Sequence, residues 1–300
     1  MDHENDLLWP HFAPLWNDLV IRKPQILLVA GGYGLFLKQH YCLANPDIST
    51  AVPLDRWQNT APRVTKDMDI VIDLEFIADE QLNRETCRIL RKHGFTESDR
   101  PSGLRWQWMK ELEKDRSVVV ELHVPSPDPN NKMLISDGRR VKRKRSLRKD
   151  GIHGHDTPEA AGCTMGSFAF EADGIVIEVP NPITWTIMKL TAMRDRWKEH
   201  QKSTEEEQRR KFRDDAVKHG RDLCRIVALV SQEEQGRLSG VIDSISGTPQ
   251  FQEAAKIQTQ YFDGDRCWAT DLVADDWSSG DLTTVRELLK SWYQLNIPTL

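Results

Sequence analysis

The stretch Val29-Ala30-Gly31-Gly32-Tyr33-Gly34-Leu35 constrains this chain more than any other, read with Arg63-Val64-Thr65-Lys66-Asp67-Met68-Asp69-Ile70-Val71. Residues 25–30 are a run with strand character that leads into two glycines and then a helical pattern over about residues 34–41. Glycine lets the backbone turn sharply and come close to a bound group. A helix that starts there aims its unpaired N–H groups at the turn, a setting that favours phosphate. The second stretch opens a strand with two aspartates one residue apart. Side chains at i and i+2 of a strand share a face, so Asp67 and Asp69 can reach the same point. Paired hard oxygens suit Mg²⁺, with Mn²⁺ as its substitute; Mg²⁺ usually binds through one or two carboxylates plus phosphate oxygens. A phosphate turn beside a two-carboxylate metal site reads as nucleotide chemistry.

Composition narrows the alternatives. The chain has 300 residues, enough for one large or two modest domains, and with 39% hydrophobic and 29% charged residues it reads as globular. A net charge of −5 argues against a surface coated uniformly for nucleic acid, although one segment is strongly basic. No window approaches the roughly 20 apolar residues of a membrane span. The first residues, Met1-Asp2-His3-Glu4-Asn5-Asp6, are the opposite of a secretion signal. Cys42, Cys87, Cys163, Cys224 and Cys267 are far apart and form no C-x-x-C pair, so a cytoplasmic protein with reduced thiols is expected, without zinc.

The periodicity predicts a short helix within residues 6–22 and a loop over 45–62. It predicts the aspartate strand over 67–74, an amphipathic helix over 79–93 stopped by Gly94, and strands over 104–109 and 116–124. Residues 139–149 are dense in positive charge, and a glycine-containing loop carrying His153 and His155 follows. Strand character resumes over 168–179 with a turn near Asp173-Gly174. Pro182 then opens a strong helix to about Trp197, and the remaining pattern is helical.

Taken in order, these patterns resemble a known family. Gly31-Gly32 followed by a helix, then Arg63-x-Thr65-x-Asp67-x-Asp69, is similar to the AbiEii-type nucleotidyltransferases, a branch of the DNA polymerase β-like superfamily. The segment Val179-Pro180-Asn181-Pro182-Ile183 through Met188-Lys189-Leu190 resembles that family's strand and lysine-bearing helix. Arg221-Asp222-Leu223-x-x-Ile226 resembles the basic-Asp-Leu pattern of its next helix. The resemblance implies an α+β fold: an α/β nucleotidyltransferase core with a small mixed sheet over residues 1–180, and a helical C-terminal domain over 181–300 that completes the cleft. It implies transfer of a nucleoside monophosphate from an NTP to an acceptor hydroxyl or phosphate, with Mg²⁺ and release of pyrophosphate. Some relatives are toxins of toxin–antitoxin pairs or phage-defence systems, and some add nucleotides to tRNA 3′ ends. A tRNA or other RNA acceptor and an antitoxin protein are therefore the expected partners. Two alternatives stand beside this: a small-molecule transferase of the antibiotic-modifying type, and a non-catalytic nucleotide-binding or interaction module.

Roles follow residue by residue. Asp69 lies between apolar neighbours, where an unpaired carboxylate is costly, so metal ligation by Asp67 and Asp69 is favoured over a solvated strand end. Glu121, mid-strand between Val120 and Leu122, is either, as the resemblance implies, a third carboxylate that binds metal and takes the acceptor's proton, or a residue that is edge-exposed or paired with an arginine. Lys189 is either a surface lysine or, as the resemblance implies, a point charge on the triphosphate. Asp222 would face it, although Arg225 stands where the family often has a second acid. Gly31, Gly32, Thr65 and Lys66 are the expected phosphate contacts. Arg139, Arg140, Lys142, Arg143, Lys144 and Arg145 form either a solvated loop or a landing strip for RNA phosphates. His153 and His155 have metal-compatible spacing, but a plain loop is the better reading.

Overall fold

A computed structural model describes residues 6–20, 27–58, 65, 67–98, 105–113, 116–145, 147, 150–263 and 267–294. The fold is α+β, a mixed sheet followed in sequence by helices. The chain separates into two compact units, Met1–Leu37 with Arg63–Pro180, and Lys38–Pro62 with Asn181–Leu300.

The first unit opens with α1 (Trp9–Val20), whose Phe12, Leu15, Trp16 and Leu19 recur at helical spacing and are buried. Strand β1 (Leu27–Val29) runs directly into α2 (Gly31–Ala44). This helix starts three residues earlier than the sequence pattern predicts, because Gly31 itself, at φ +62°, makes the turn. Strand β2 (Asp67–Ile72) is followed by the single turn α3 (Glu75–Ala78) and by α4 (Glu80–Lys92), whose N-terminus Asp79 caps through the Leu82 amide at 2.7 Å. Strands β3 (Thr96–Glu97), β4 (Gln107–Glu111) and β5 (Ser117–Val124) come next, then β6 (Leu134–Ser136), β7 (Arg140–Arg143) and β8 (Gly154–Asp156). These strands form one sheet in the order β1-β2-β5-β8-β7-β6, with β4 also on β5 and β3 on β4.

Strand β5 organises that sheet. It pairs in parallel with β2, setting Asp69 opposite Glu121 and Val71 opposite His123. On its other side β4 runs antiparallel along the first part, and β8 runs parallel along the end, with His123 opposite His155. Val118, Val120, Leu122 and Val124 are buried on one face, which leaves Val119, Glu121 and His123 on the other. Strand β8 sits tightly on β5: a Cβ on Gly154 would lie 2.7 Å from Val124 Cγ1.

The segment around His155, expected as a loop, and part of the basic run, expected as either a solvated loop or a phosphate-binding strip, are strands. The first half of the basic run is β7, held between β6 and β8. Its only apolar residue, Val141, is fully buried, and four charged neighbours mask that alternation in the sequence. The residues around His155 are β8, a strand too short to be recognised without its two partners. Strands β9 (Phe168–Ala172) and β10 (Ile175–Val179) form a separate hairpin, turned by Asp173 and Gly174 at positive φ.

The second unit contains α5 (Pro182–Lys202), α6 (Glu206–Ala228), α7 (Gln232–Ile245), α8 (Pro249–Phe262), α9 (Trp268–Val273) and α10 (Ser279–Tyr293). Asn181 caps α5 with Pro182 in its first turn, as that residue pair favours. Part of the segment read as a loop is stitched to this unit: the Ala51 and Val52 amides donate to Val230 O at 2.9 Å and Ala228 O at 3.0 Å. Lys38 is buried against Glu234 at 2.6 Å, and Glu234 also closes a capping box with Ser231.

Candidate metal centre

Asp67 and Asp69 leave β2 on the same face, since Met68, Ile70 and Ile72 fill the opposite, buried one. They are not equivalent. Asp69 is half-buried and level with Glu121, whereas Asp67 is exposed one pleat away, level with Val119. The Thr65 hydroxyl lies 3.3 Å from both the amide and the carbonyl oxygen of Asp67, so it braces this strand end. Lys66 and Arg63 lie outside the described residues.

Asp69 is locked to the glycine turn. The Ala30 amide donates to Asp69 O at 2.8 Å. The carboxylate lies against Gly31 so closely that a Cβ there would overlap Asp69 Oδ2 and stand 2.6 Å from its Cγ. The turn expected to meet a phosphate first meets a carboxylate of the protein itself. The positive end of α2 favours that charge for the same reason it would favour phosphate. Gly32 continues the first turn, buried.

Asp69, Glu121 and His123 bring one ligand atom each to within 4.8 Å of one another. Gln107, opposite Glu121 on β4, donates to Glu121 Oε1 at 2.6 Å. The His123 ring points Nε2 at Asp69 Oδ1, 3.3 Å away, and at Glu121 Oε2, 3.7 Å away. Its Nδ1 lies 2.9 Å from Thr157 Oγ1 and 3.3 Å from His155 Nδ1. His155 stacks on Trp106 with ring centroids 4.4 Å apart. Burial opposes a charge on His123, but Asp69 and Glu121 outweigh it and raise its pKa to about 9. Burial, reinforced by the charge on His123, lowers His155 to about 4. Hence His123 is protonated near neutrality and His155 is neutral, able to accept the Nδ1–H of its neighbour.

The group fits a divalent cation. Two carboxylates and an imidazole nitrogen converge, and the other ring nitrogen of the histidine already has a hydroxyl partner, the usual way a metal-binding histidine is oriented. His123 was not foreseen. The signal was present in Glu121-Leu122-His123, the same i, i+2 spacing as Asp67 and Asp69, but it was hidden in a strand read for its valines.

Lys189 on α5 and Asp222 on α6 meet in the second unit as an ion pair 2.7 Å long, with side chains only 8% and 2% exposed. Arg225 is buried on the same helix. In the basic run, Arg139, Lys144 and Arg145 are exposed, Arg140 and Lys142 are half-buried, and the Arg143 side chain is largely buried. Arg140 and Lys142 pair with Asp137 at 2.7 and 3.4 Å, and Arg143 donates to Ala78 O. Among the described residues no helix is long and apolar enough to cross a membrane.

No family model and no curated protein matches this chain. A solved structure described as an antigenic nucleotidyltransferase-like protein from Paracoccidioides brasiliensis is similar to it. The identity is 13%, over 82% of this chain and 92% of that one, with a TM-score of 0.36. So loose a superposition carries nothing about chemistry, which rests on the residues of the site.

Proposed function

We propose that this chain is a metal-dependent nucleotidyltransferase that passes a nucleoside monophosphate from an NTP to an acceptor on RNA. The observation that carries the reading is the convergence of Asp69, Glu121 and His123 within 4.8 Å, with Asp69 seated on the Gly31 turn. A divalent ion held there, Mg²⁺ or Mn²⁺, would supply charge to offset that of the departing pyrophosphate. The acceptor oxygen forms a bond to the α-phosphorus, and the bond from that phosphorus to the bridging oxygen breaks, leaving its electron pair on pyrophosphate. The acceptor's proton needs a carboxylate. Glu121 is poorly suited, because one oxygen holds Gln107 and the other faces His123. Asp67, exposed on the same face of β2, is assigned that role. The RNA acceptor is supported by the exposed cations Arg139, Lys144 and Arg145 at and beside β7, on the sheet that carries the metal group. A toxin–antitoxin role and an antitoxin partner rest on the family resemblance alone.

The test is incubation with labelled NTPs, total tRNA and Mg²⁺ or Mn²⁺. Wild type should transfer label to RNA, and Asp69→Asn and Asp67→Asn should each lose it. Only Asp69→Asn should also lose metal binding without nucleotide. NTP binding without transfer to any acceptor would replace this reading with a non-catalytic module.

A further inference from the structure

A pocket lies on the same sheet as the metal group. The last β7 residue paired with β8 is Val141, opposite Gly154, so Lys142 and Arg143 run on past the start of β8. The gap left there is a pocket of about 460 Å³, bounded by Arg105, Arg140, Lys142, Arg143 and Lys144. Among the described residues, Glu97, on Arg105 at 3.4 Å, is the one carboxylate in its wall. Outside the wall, Asp137 reaches Arg140 and Lys142, and Glu80 lies 3.6 Å from Arg143. Cations remain in excess. Their field registers on His153, which also lines the pocket: burial first, then Arg105, Arg140 and Lys142, lower its pKa to about 4.

Two of the lining residues each carry a polar atom that is buried with no hydrogen-bond partner among the described residues, Arg143 Nε and His153 Nδ1. The Arg143 side chain is only 9% exposed. A buried donor left unmade is costly, and a guanidinium N–H is a strong donor to an anion. The walls are fixed in advance: buried Asn83 takes the Ile152 amide at 2.9 Å and gives to its carbonyl at 3.1 Å, and the His153 amide donates to Arg105 O at 3.0 Å.

We propose that this pocket is a binding site for a phosphate group, carried by a small phosphorylated ligand or by the end of a nucleic-acid strand. Arg140 joins it to the metal group, since Arg140 is opposite His155, and His155 is opposite His123. Two interstrand spacings separate His123 from Arg140, about 10 Å. A phosphate held here therefore sits beside the metal group without occupying it.

The test uses the intact protein in EDTA, titrated at constant ionic strength while the His153 ring resonances are followed by NMR, assigned by their loss in His153→Gln. Inorganic phosphate should move them saturably, where chloride does not. The double variant Arg140→Gln with Lys142→Gln should weaken phosphate at least about tenfold, the loss of one charge-assisted hydrogen bond or more. Lys142→Gln and Lys144→Gln singly should each weaken it too, which keeps the test valid should the double variant fold poorly. Asp69→Asn should leave phosphate binding unchanged, so a failed transfer reaction and a failed pocket are told apart. Tighter binding of AMP than of a 5′-phosphorylated tetranucleotide points to a small ligand, and the reverse order to a strand end. Resonances that respond equally to chloride, or a phosphate affinity unaltered in all these lysine and arginine variants, would overturn the proposal.

Discussion

Gly31 and Asp69 share one volume: the carboxylate fills the space a side chain on Gly31 would need. Gly31→Ala should therefore act twice. It places a Cβ at φ +62°, costing about 1–2 kcal/mol, and it drives Asp69 away from Glu121 and His123. Calorimetric titration with Mn²⁺ should show affinity down at least about tenfold, the 1.4 kcal/mol equivalent of one displaced ligand. Undiminished Mn²⁺ affinity in a folded Gly31→Ala protein would remove the glycine turn from the site.

The imidazole in the group changes the choice of ion. Mg²⁺ prefers oxygen, whereas Mn²⁺ accepts nitrogen more readily and stands low in an affinity order that Mg²⁺ does not enter. Wild type should bind Mn²⁺ at least about tenfold more tightly than Mg²⁺. His123→Ala should narrow that ratio by weakening Mn²⁺ and sparing Mg²⁺. Equal losses for both ions would mean that His123 supports the fold of the site and does not touch the metal.

Proton and metal compete for His123. Without metal its folded pKa, about 9, is above the ordinary 6.5 of an unfolded chain. The proton therefore stabilises the metal-free protein fully below about pH 6.5, and that contribution is lost as pH rises through 9. Metal needs the neutral ring, so Mn²⁺ affinity should climb from pH 6.5 towards 9, with proton release seen as a buffer-dependent calorimetric enthalpy. His123→Gln should flatten both the stability change and the affinity climb. A wild-type profile as flat as the variant's would place the histidine's charge elsewhere.

Lys189 and Asp222 are buried with each other, and neither is tolerable alone. Asp222→Leu should cost about 3–5 kcal/mol in urea unfolding, because an ammonium stays buried without its counter-charge. The double change Lys189→Met with Asp222→Leu should recover most of that loss. If the double variant is no more stable than the single one, the pair owes its place to packing of α5 on α6 and not to charge.

Much of the architecture could be read from residue order, because it rests on local signals. The valine alternation of β5, the Asp79 cap of α4 and the Asn181-Pro182 start of α5 are each written in a few neighbouring residues. What could not be read depends on partners distant in sequence. Strand β8 has three residues and exists because β5 and β7 flank it. The strand inside the basic run was not legible because Val141 alone carries its inward face. At the site, Asp69 and Glu121 were legible as carboxylates on strands. His123 gained its place only from the parallel register of β5 on β2, which one chain segment cannot reveal.

Gly154 has a consequence for variation in this sheet. With no room between it and Val124 for even one methyl carbon, this three-residue strand is registered by an absence. Any larger residue there would lever β8 off its neighbour, parting His155 from His123 and shifting His153 in the neighbouring pocket's wall in the same movement. A single hydrogen atom thus acts as the hinge pin on which both halves of this face keep their alignment.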